Sequence, residues 1–174
     1  MNSGVGGFND QRIQGCSPGW GSSTGNLGLR GAGPLTYLSP LDRQLISERV
    51  HYYGWACDER RSDLLADCFT EDASWSGSLM GEETVPAVHG RDAIVVWLSG
   101  FWDRQVDQRR HMMTSLSIDS QGPAHASAIA SLLLMSAAAS SIAIVLTSFY
   151  RFELTKDDGV WRISSLFEGF DVPF

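Results

Sequence analysis

The chain reads as an α+β protein in which helices come first and an antiparallel sheet follows. Three observations carry that reading. Apolar residues recur at helical spacing in the first half, they alternate like strands after Arg110, and Asp157-Asp158-Gly159 marks a turn between the last two strand-like runs. With 174 residues, 43% of them hydrophobic, and six tryptophans, there is enough apolar material for one ordinary domain with a real core.

Ser39-Pro40-Leu41-Asp42 has the form of a helix start: a side-chain oxygen to cap free amides, proline at the first helical position and an acid three residues after the cap. Ile46, Val50, Tyr53 and Cys57 then share one apolar face, and Asp58 falls at the helix end. A short second helix is expected over about Ser62 to Phe69, and Ala73 to Leu79 alternates as a strand. A polar loop should follow. Ile94, Trp97, Leu98, Phe101 and Trp102 then mark the clearest helix by their i, i+3, i+4, i+7, i+8 spacing.

Met112, Thr114, Leu116 and Ile118 open the sheet. Residues 124–149 carry no Asp, Glu, Lys or Arg, a length that would cross a bilayer. Interspersed serines, His125 and the lack of charge bias at its flanks speak against a span. Splitting the run at Ala137–Ser141 gives two long hairpin strands covered on both faces. Phe149 to Leu154 continues the second strand, and Val160-Trp161-Arg162-Ile163 starts the last of a four-strand meander.

The net charge of -7 is scattered rather than blocked, which argues against nucleic acid or anionic membrane as partners. Cys16, Cys57 and Cys68 form no C-x-x-C pair, and His51, His89, His111 and His125 have no metal spacing, so neither a disulfide framework nor a metal centre is expected. A reducing cytoplasm fits that pattern. Residues 1–38 are glycine-rich, with only Asp10, Arg12 and Arg30 charged, and read as a flexible tail ahead of a domain at 39–174. The tail has no continuous apolar core of a secretory signal.

Four phrases in order carry a family resemblance: Asp67-Cys68-Phe69-Thr70-Glu71-Asp72-Ala73-Ser74-Trp75, His89-Gly90-Arg91-Asp92-Ala93-Ile94, Arg110-His111-Met112 and Asp158-Gly159-Val160-Trp161-Arg162-Ile163. Together they resemble the SnoaL-like branch of the nuclear-transport-factor-2-like superfamily over about residues 41 to 170. The resemblance implies a curved, mostly antiparallel sheet wrapped by three helices into a cone (a cystatin-like roll), with an apolar pocket at the open end and a homodimer or homotrimer formed through the sheet. In the scytalone dehydratase and bile-acid dehydratase branch, an Asp at the end of helix one orients a His early in the sheet. Asp58 and His111 stand where that resemblance puts the pair, and Tyr53 matches an assisting tyrosine.

The resemblance therefore implies a cofactor-independent lyase or isomerase: His111 abstracts a proton, Asp58 fixes its tautomer, and Tyr53 donates to a carbonyl or departing hydroxyl. No cofactor is called for. Trp55, Trp75, Trp97, Met113 and Phe149 would line a pocket for a small apolar, aromatic or polyketide-like ligand. The Asp and Arg that complete the bile-acid enzyme have no matching motif, although Ser136 and Arg151 stand in suitable strands. Each residue also has a plainer reading: Asp58 as a turn carboxylate, His111 as a core or outward-facing histidine beside Arg109 and Arg110, and Tyr53 and the other aromatics as core. Two other functions stay open. Leu65-Ala66-Asp67-Cys68-Phe69-Thr70-Glu71-Asp72-Ala73 also resembles the structural β subunits of ring-hydroxylating dioxygenases, and a non-catalytic ligand-binding protein would share the same cone.

Overall fold

Helix α1 (Pro40–Asp58) begins where the sequence caps it: the Ser39 hydroxyl accepts the Asp42 amide at 3.0 Å and proline fills the first turn. It ends as Arg60 enters the left-handed region at φ 51°, while the Arg61 amide folds back to the Ala56 carbonyl at 3.0 Å. Its buried face is Ile46, Val50, Tyr53, Gly54, Ala56, Cys57 and Asp58. Helices α2 (Ser62–Cys68) and α3 (Arg91–Ser99) complete the helical layer. Arg49 ties α1 to α2 through the Asp67 carbonyl and carboxylate, both at 3.2 Å. This computed structural model describes residues 37–173, the side chains of 82–84 excepted. The expected tail at 1–38 thus lies outside the described residues except for exposed Tyr37 and buried Leu38.

The sheet has six strands: β1 (Phe69–Leu79), β2 (Glu82–His89), β3 (Gln108–Ser120), β4 (His125–Ala138), β5 (Ser141–Asp157) and β6 (Val160–Phe170), in the spatial order β2-β1-β6-β5-β4-β3. All neighbours are antiparallel except β1 and β6, which run parallel. The uncharged stretch 124–149 forms all of β4 and the first half of β5, and among the described residues no helix is long and apolar enough to cross a membrane.

Three sequence expectations are corrected. The loop expected after Leu79 is strand β2, at a sheet edge, where Pro86 and acidic residues are tolerated although they depress strand propensity. The final helix is shorter than its spacing suggests: α3 stops at Ser99, and Trp102 opens a 3-10 turn, Trp102–Arg104. Phe69 likewise belongs to β1 rather than to α2.

Each of the five strand pairings, from β1–β2 to β5–β6, contains a register shift, and these irregularities bend the sheet. In β3 the bulge between Thr114 and Ser117 holds Ser115 at φ 53°. The resulting cone carries one buried inner row on each long strand: Ala126, Ala128, Ala130, Leu132 and Leu134 on β4, then Leu146, Ser148, Tyr150, Phe152 and Leu154 on β5.

One polar tie locks the helix to the sheet. Asp42 Oδ1 accepts from Lys156 Nζ at 2.7 Å and from Trp161 Nε1 at 3.0 Å. These bonds, led by Lys156, hold its carboxyl far below the ordinary 3.8. Asp42→Ala is expected to lower the unfolding free energy by about 1–3 kcal/mol. A group with a depressed folded pKa stabilises above its unfolded value and loses that contribution as pH falls, so urea titrations should show the deficit shrinking below about pH 4.

Candidate active site

Helix α1 crosses β3 closely enough that a Cβ on Gly54 would sit 3.2 Å from His111 Cβ. That approach brings the next turn of the helix onto the strand. Asp58 Oδ1 lies 2.6 Å from His111 Nδ1, and Asp58 Oδ2 accepts the His111 backbone amide at 2.9 Å. Asp58 is buried, and its own carbonyl accepts from Gln108 Nε2 at 2.9 Å. A carboxylate so held requires a donor at Nδ1, which leaves the lone pair of the neutral imidazole on Nε2. His111 pairs with Leu134 across the β3–β4 ladder and so belongs to the inner row, not to the outer face.

Deeper in the cone, Tyr53 is 1% exposed and its hydroxyl donates to Glu168 Oε1 at 2.8 Å. Its ring meets Phe69, Tyr150 and Phe152 edge-on at centroid distances of 6.0, 6.2 and 6.1 Å. Tyr53 therefore bonds a third residue rather than Asp58 or His111. Glu168, only 3% exposed, pairs across the ladder with Tyr150. Burial raises its carboxyl above the ordinary 4.5, against smaller opposing influences from Tyr53, Trp75, His111 and Tyr150. Burial likewise pushes the Tyr53 and Tyr150 phenols and the Cys57 thiol well up, so Cys57 sits there as a neutral thiol. Trp75 Nε1 comes near enough to influence Glu168, and Ser148 Oγ near enough to influence Tyr150, but neither makes a hydrogen bond of acceptable geometry.

The other expected pocket residues divide. Trp75 is buried against Trp97, with ring centroids 5.8 Å apart, and half-buried Met113 follows His111 on the inner row of β3. Trp97 is partly exposed and also meets Phe101 at 5.5 Å. Half-buried Ser136 is the chief influence holding the Asp107 carboxyl low, ahead of Arg109, at the rim. Three placements are corrected. Trp55 is 58% exposed, beside the Arg110 guanidinium at 5.8 Å, because it lies off the apolar face of α1. Phe149 and Arg151 lie on the outer face, since strand alternation gives the inner row to Tyr150 and Phe152. Phe149 covers Gly169 and stacks near Phe167 at 5.7 Å, while Arg151 Nε bonds Glu153 at 2.9 Å.

Sequence reasoning missed Glu168, Tyr150 and Ser148. A signal existed for each. Glu168 is a lone acid in the apolar run Leu166–Phe170, and Arg151 and Glu153 at alternate positions assign Tyr150 and Phe152 to the opposite face. Among the described residues no group of three His, Cys, Asp or Glu is arranged to hold a metal. An open groove of about 370 Å³ lies outside the cone, lined by Leu45, Arg49, Tyr52, Asp67 and Trp161 among others, and does not reach the Asp58–His111 pair.

A curved sheet wrapped by three helices, with a polar cluster sunk in its apolar interior, defines a cystatin-like cone. The chain belongs to the SnoaL-like domain family, which matches residues 39–166. No curated protein matches it. Among solved structures, it resembles a cystatin-like protein of unknown function from Nostoc punctiforme at 16% identity, covering 79% of this chain and 98% of that one with a TM-score of 0.69. A protein from Catenulispora acidiphila, in complex with S-DNPA, is 25% identical over 76% of this chain and 95% of its own, with a TM-score of 0.65. A Novosphingobium aromaticivorans protein assigned as the β subunit of an aromatic-ring-hydroxylating dioxygenase is 15% identical, covering 77% and 92%, with a TM-score of 0.66.

The raised Glu168 carboxyl has a signed consequence for stability. The folded state holds this proton more tightly than the unfolded state, so the contribution is complete below about pH 4.5 and is lost as pH rises through the folded value. Glu168→Gln, a neutral isostere that still accepts from Tyr53, is expected to match the native chain near pH 4 and to exceed it in urea midpoint near pH 8.

Proposed function

We propose that this protein is a cofactor-independent lyase or isomerase whose reaction begins with removal of a carbon-bound proton from a small apolar cyclic or polyketide-like molecule. The observation that carries the reading is the 2.6 Å contact between Asp58 and His111 inside the cone. In it, His111 Nε2 is the base, and Asp58 holds the ring orientation and stabilises the imidazolium that forms. Tyr53 acts one layer deeper, through its bond to Glu168. Trp75, Met113 and Leu132 supply apolar walls, and the S-DNPA complex of the Catenulispora acidiphila protein supports a small-molecule ligand. The β-subunit reading draws support from the Novosphingobium likeness, yet it gives a buried Asp–His pair no task.

Self-association fits the outer face of the sheet. Ile142 and Ile144, 72% and 65% exposed, pair with Ala137 and Met135, and exposed Met112 pairs with Leu133 on the same side. An apolar stripe of this kind is suited to a second copy. Ile144→Glu is expected to shift a dimer or trimer to monomer in sedimentation velocity, and an unchanged sedimentation coefficient would place the contact elsewhere.

The catalytic reading is tested by deuterium incorporation from heavy water into a panel of cyclic ketones, 2-tetralone among them, followed by NMR. Asp58→Asn and His111→Ala are each expected to lower exchange by about 10²- to 10⁴-fold while keeping the native circular dichroism spectrum. Full exchange in both variants would remove the assignment.

A further inference from the structure

Helix α1 carries two stripes of apolar residues, and the cone uses one of them. Ile46, Val50, Tyr53 and Cys57 face the sheet. Leu41, Leu45, Glu48 and Tyr52, at i, i+4, i+7 and i+11, form the second stripe on another side of the helix. Leu41 is 63% exposed, while Leu45 and Tyr52 are half-buried. With Gly159, Val160 and Trp161 of the β5–β6 hairpin, this stripe walls the groove of about 370 Å³ outside the cone. The walls are held in place: Trp161 Nε1 donates to Asp42 at 3.0 Å, and the Arg49 guanidinium lies 5.4 Å from the Tyr52 ring centroid while bonding Asp67 at 3.2 Å. Arg162 approaches the same Asp67 carboxylate at 3.6 Å. Glu48 stands exposed at the groove's edge, bonded by the neutral Gln44 amide at 2.9 Å. The groove therefore suits an apolar occupant that also brings a cation.

The chain supplies one close by. It enters α1 through exposed Tyr37 and buried Leu38. From Leu38, the helix rise puts Leu45 about 10 Å and Tyr52 about 21 Å along the axis. Ten residues, 27–36, reach about 30 Å when extended, enough to return along the whole groove. Alternation in an extended segment sets Leu27, Leu29 and Leu35 on one side and Arg30 on the other. Residues 1–36 also hold one acid, Asp10, against Arg12 and Arg30, within a chain of net charge -7. A short return of this length adds little closure entropy to the cost of docking.

We propose that residues 27–36 of this chain fold back along α1 and dock in this groove, with Leu27 and Leu29 against Tyr52 and Val160, Leu35 over Leu41 and Leu45, and Arg30 at the Glu48 carboxylate. The segment then covers Leu41 and Val160, 63% and 37% exposed without it, and joins α1 to the last hairpin. It does so away from the Asp58–His111 pair, which the groove does not reach.

Paramagnetic NMR on the full chain tests this. Cys57 and Cys68 are buried, so in a chain carrying Cys16→Ser and Ala32→Cys a nitroxide goes to position 32. The amide signals of Glu48, Tyr52, Gly159 and Val160 should lose most of their intensity, whereas Ala139 and Ser140, beyond the far end of β5 and about 50 Å along the strand, should keep theirs. Adding Leu27→Glu and Leu29→Glu should recover most of the lost intensity, and so should Val160→Glu, while Val96→Glu, exposed on α3, should not. A segment merely tethered near α1 would broaden the same signals equally with and without Leu27→Glu and Leu29→Glu, and that result overturns the proposal. Broadening in a mixture of nitroxide-bearing protein with nitrogen-15-labelled, nitroxide-free protein would give the groove to the segment of a second copy and overturn docking within one chain. Groove signals of full intensity would leave the groove to another occupant and overturn it as well.

Discussion

The crossing of α1 over β3 is the constraint on which the rest of the site depends. Gly54 has no side chain at the point of contact, so the helix lies against His111 and the following turn carries Asp58 to its ring and its backbone amide. The same helix directs Tyr53 the other way, into the apolar interior, where its hydroxyl finds Glu168 on β6. One rigid element therefore places two polar groups at different depths. A loop would have to order several residues to do this, at about 1–2 kcal/mol each in backbone entropy.

The sheet supplies the other half of the constraint. A flat antiparallel sheet would not bring β6 and β3 within reach of one helix, and the register irregularities along the ladders give the bend. Alternation then decides which residues face the site. On β5, Tyr150 and Ser148 go in and Phe149 and Arg151 go out. The inner face is mostly small on β4, where Ala126, Ala128 and Ala130 make room for the aromatic rings of Tyr53, Tyr150 and Phe152. Burial of so many rings around Glu168 excludes water from it, and that exclusion raises its proton affinity.

Much of this was legible in the residues. Ser39-Pro40 announced the start of α1, and the helical spacing to Cys57 set its buried face. The split of the uncharged 124–149 run into two strands was readable from its serines and the small residues at its centre. Edge strand β2 was hidden because Pro86 and its acidic neighbours carry loop chemistry that only an unpaired edge tolerates. The Asp58–His111 contact spans 53 positions, and no local pattern encodes it; the family resemblance pointed to both residues. Glu168 went unnoticed because an acid on a strand ordinarily faces solvent; its place in the apolar run Leu166–Phe170 was the one hint, and the packing of β1, β5 and α1 around it makes it buried.

The central claim is that Asp58 fixes His111 with its base nitrogen free. Nitrogen-15 NMR of the imidazole, in the native protein and in Asp58→Asn, addresses it most directly. The account predicts a neutral His111 with its proton on Nδ1, giving a low-field hydrogen-bonded resonance that disappears in Asp58→Asn. A proton resident on Nε2, or a resonance indifferent to Asp58, would contradict it.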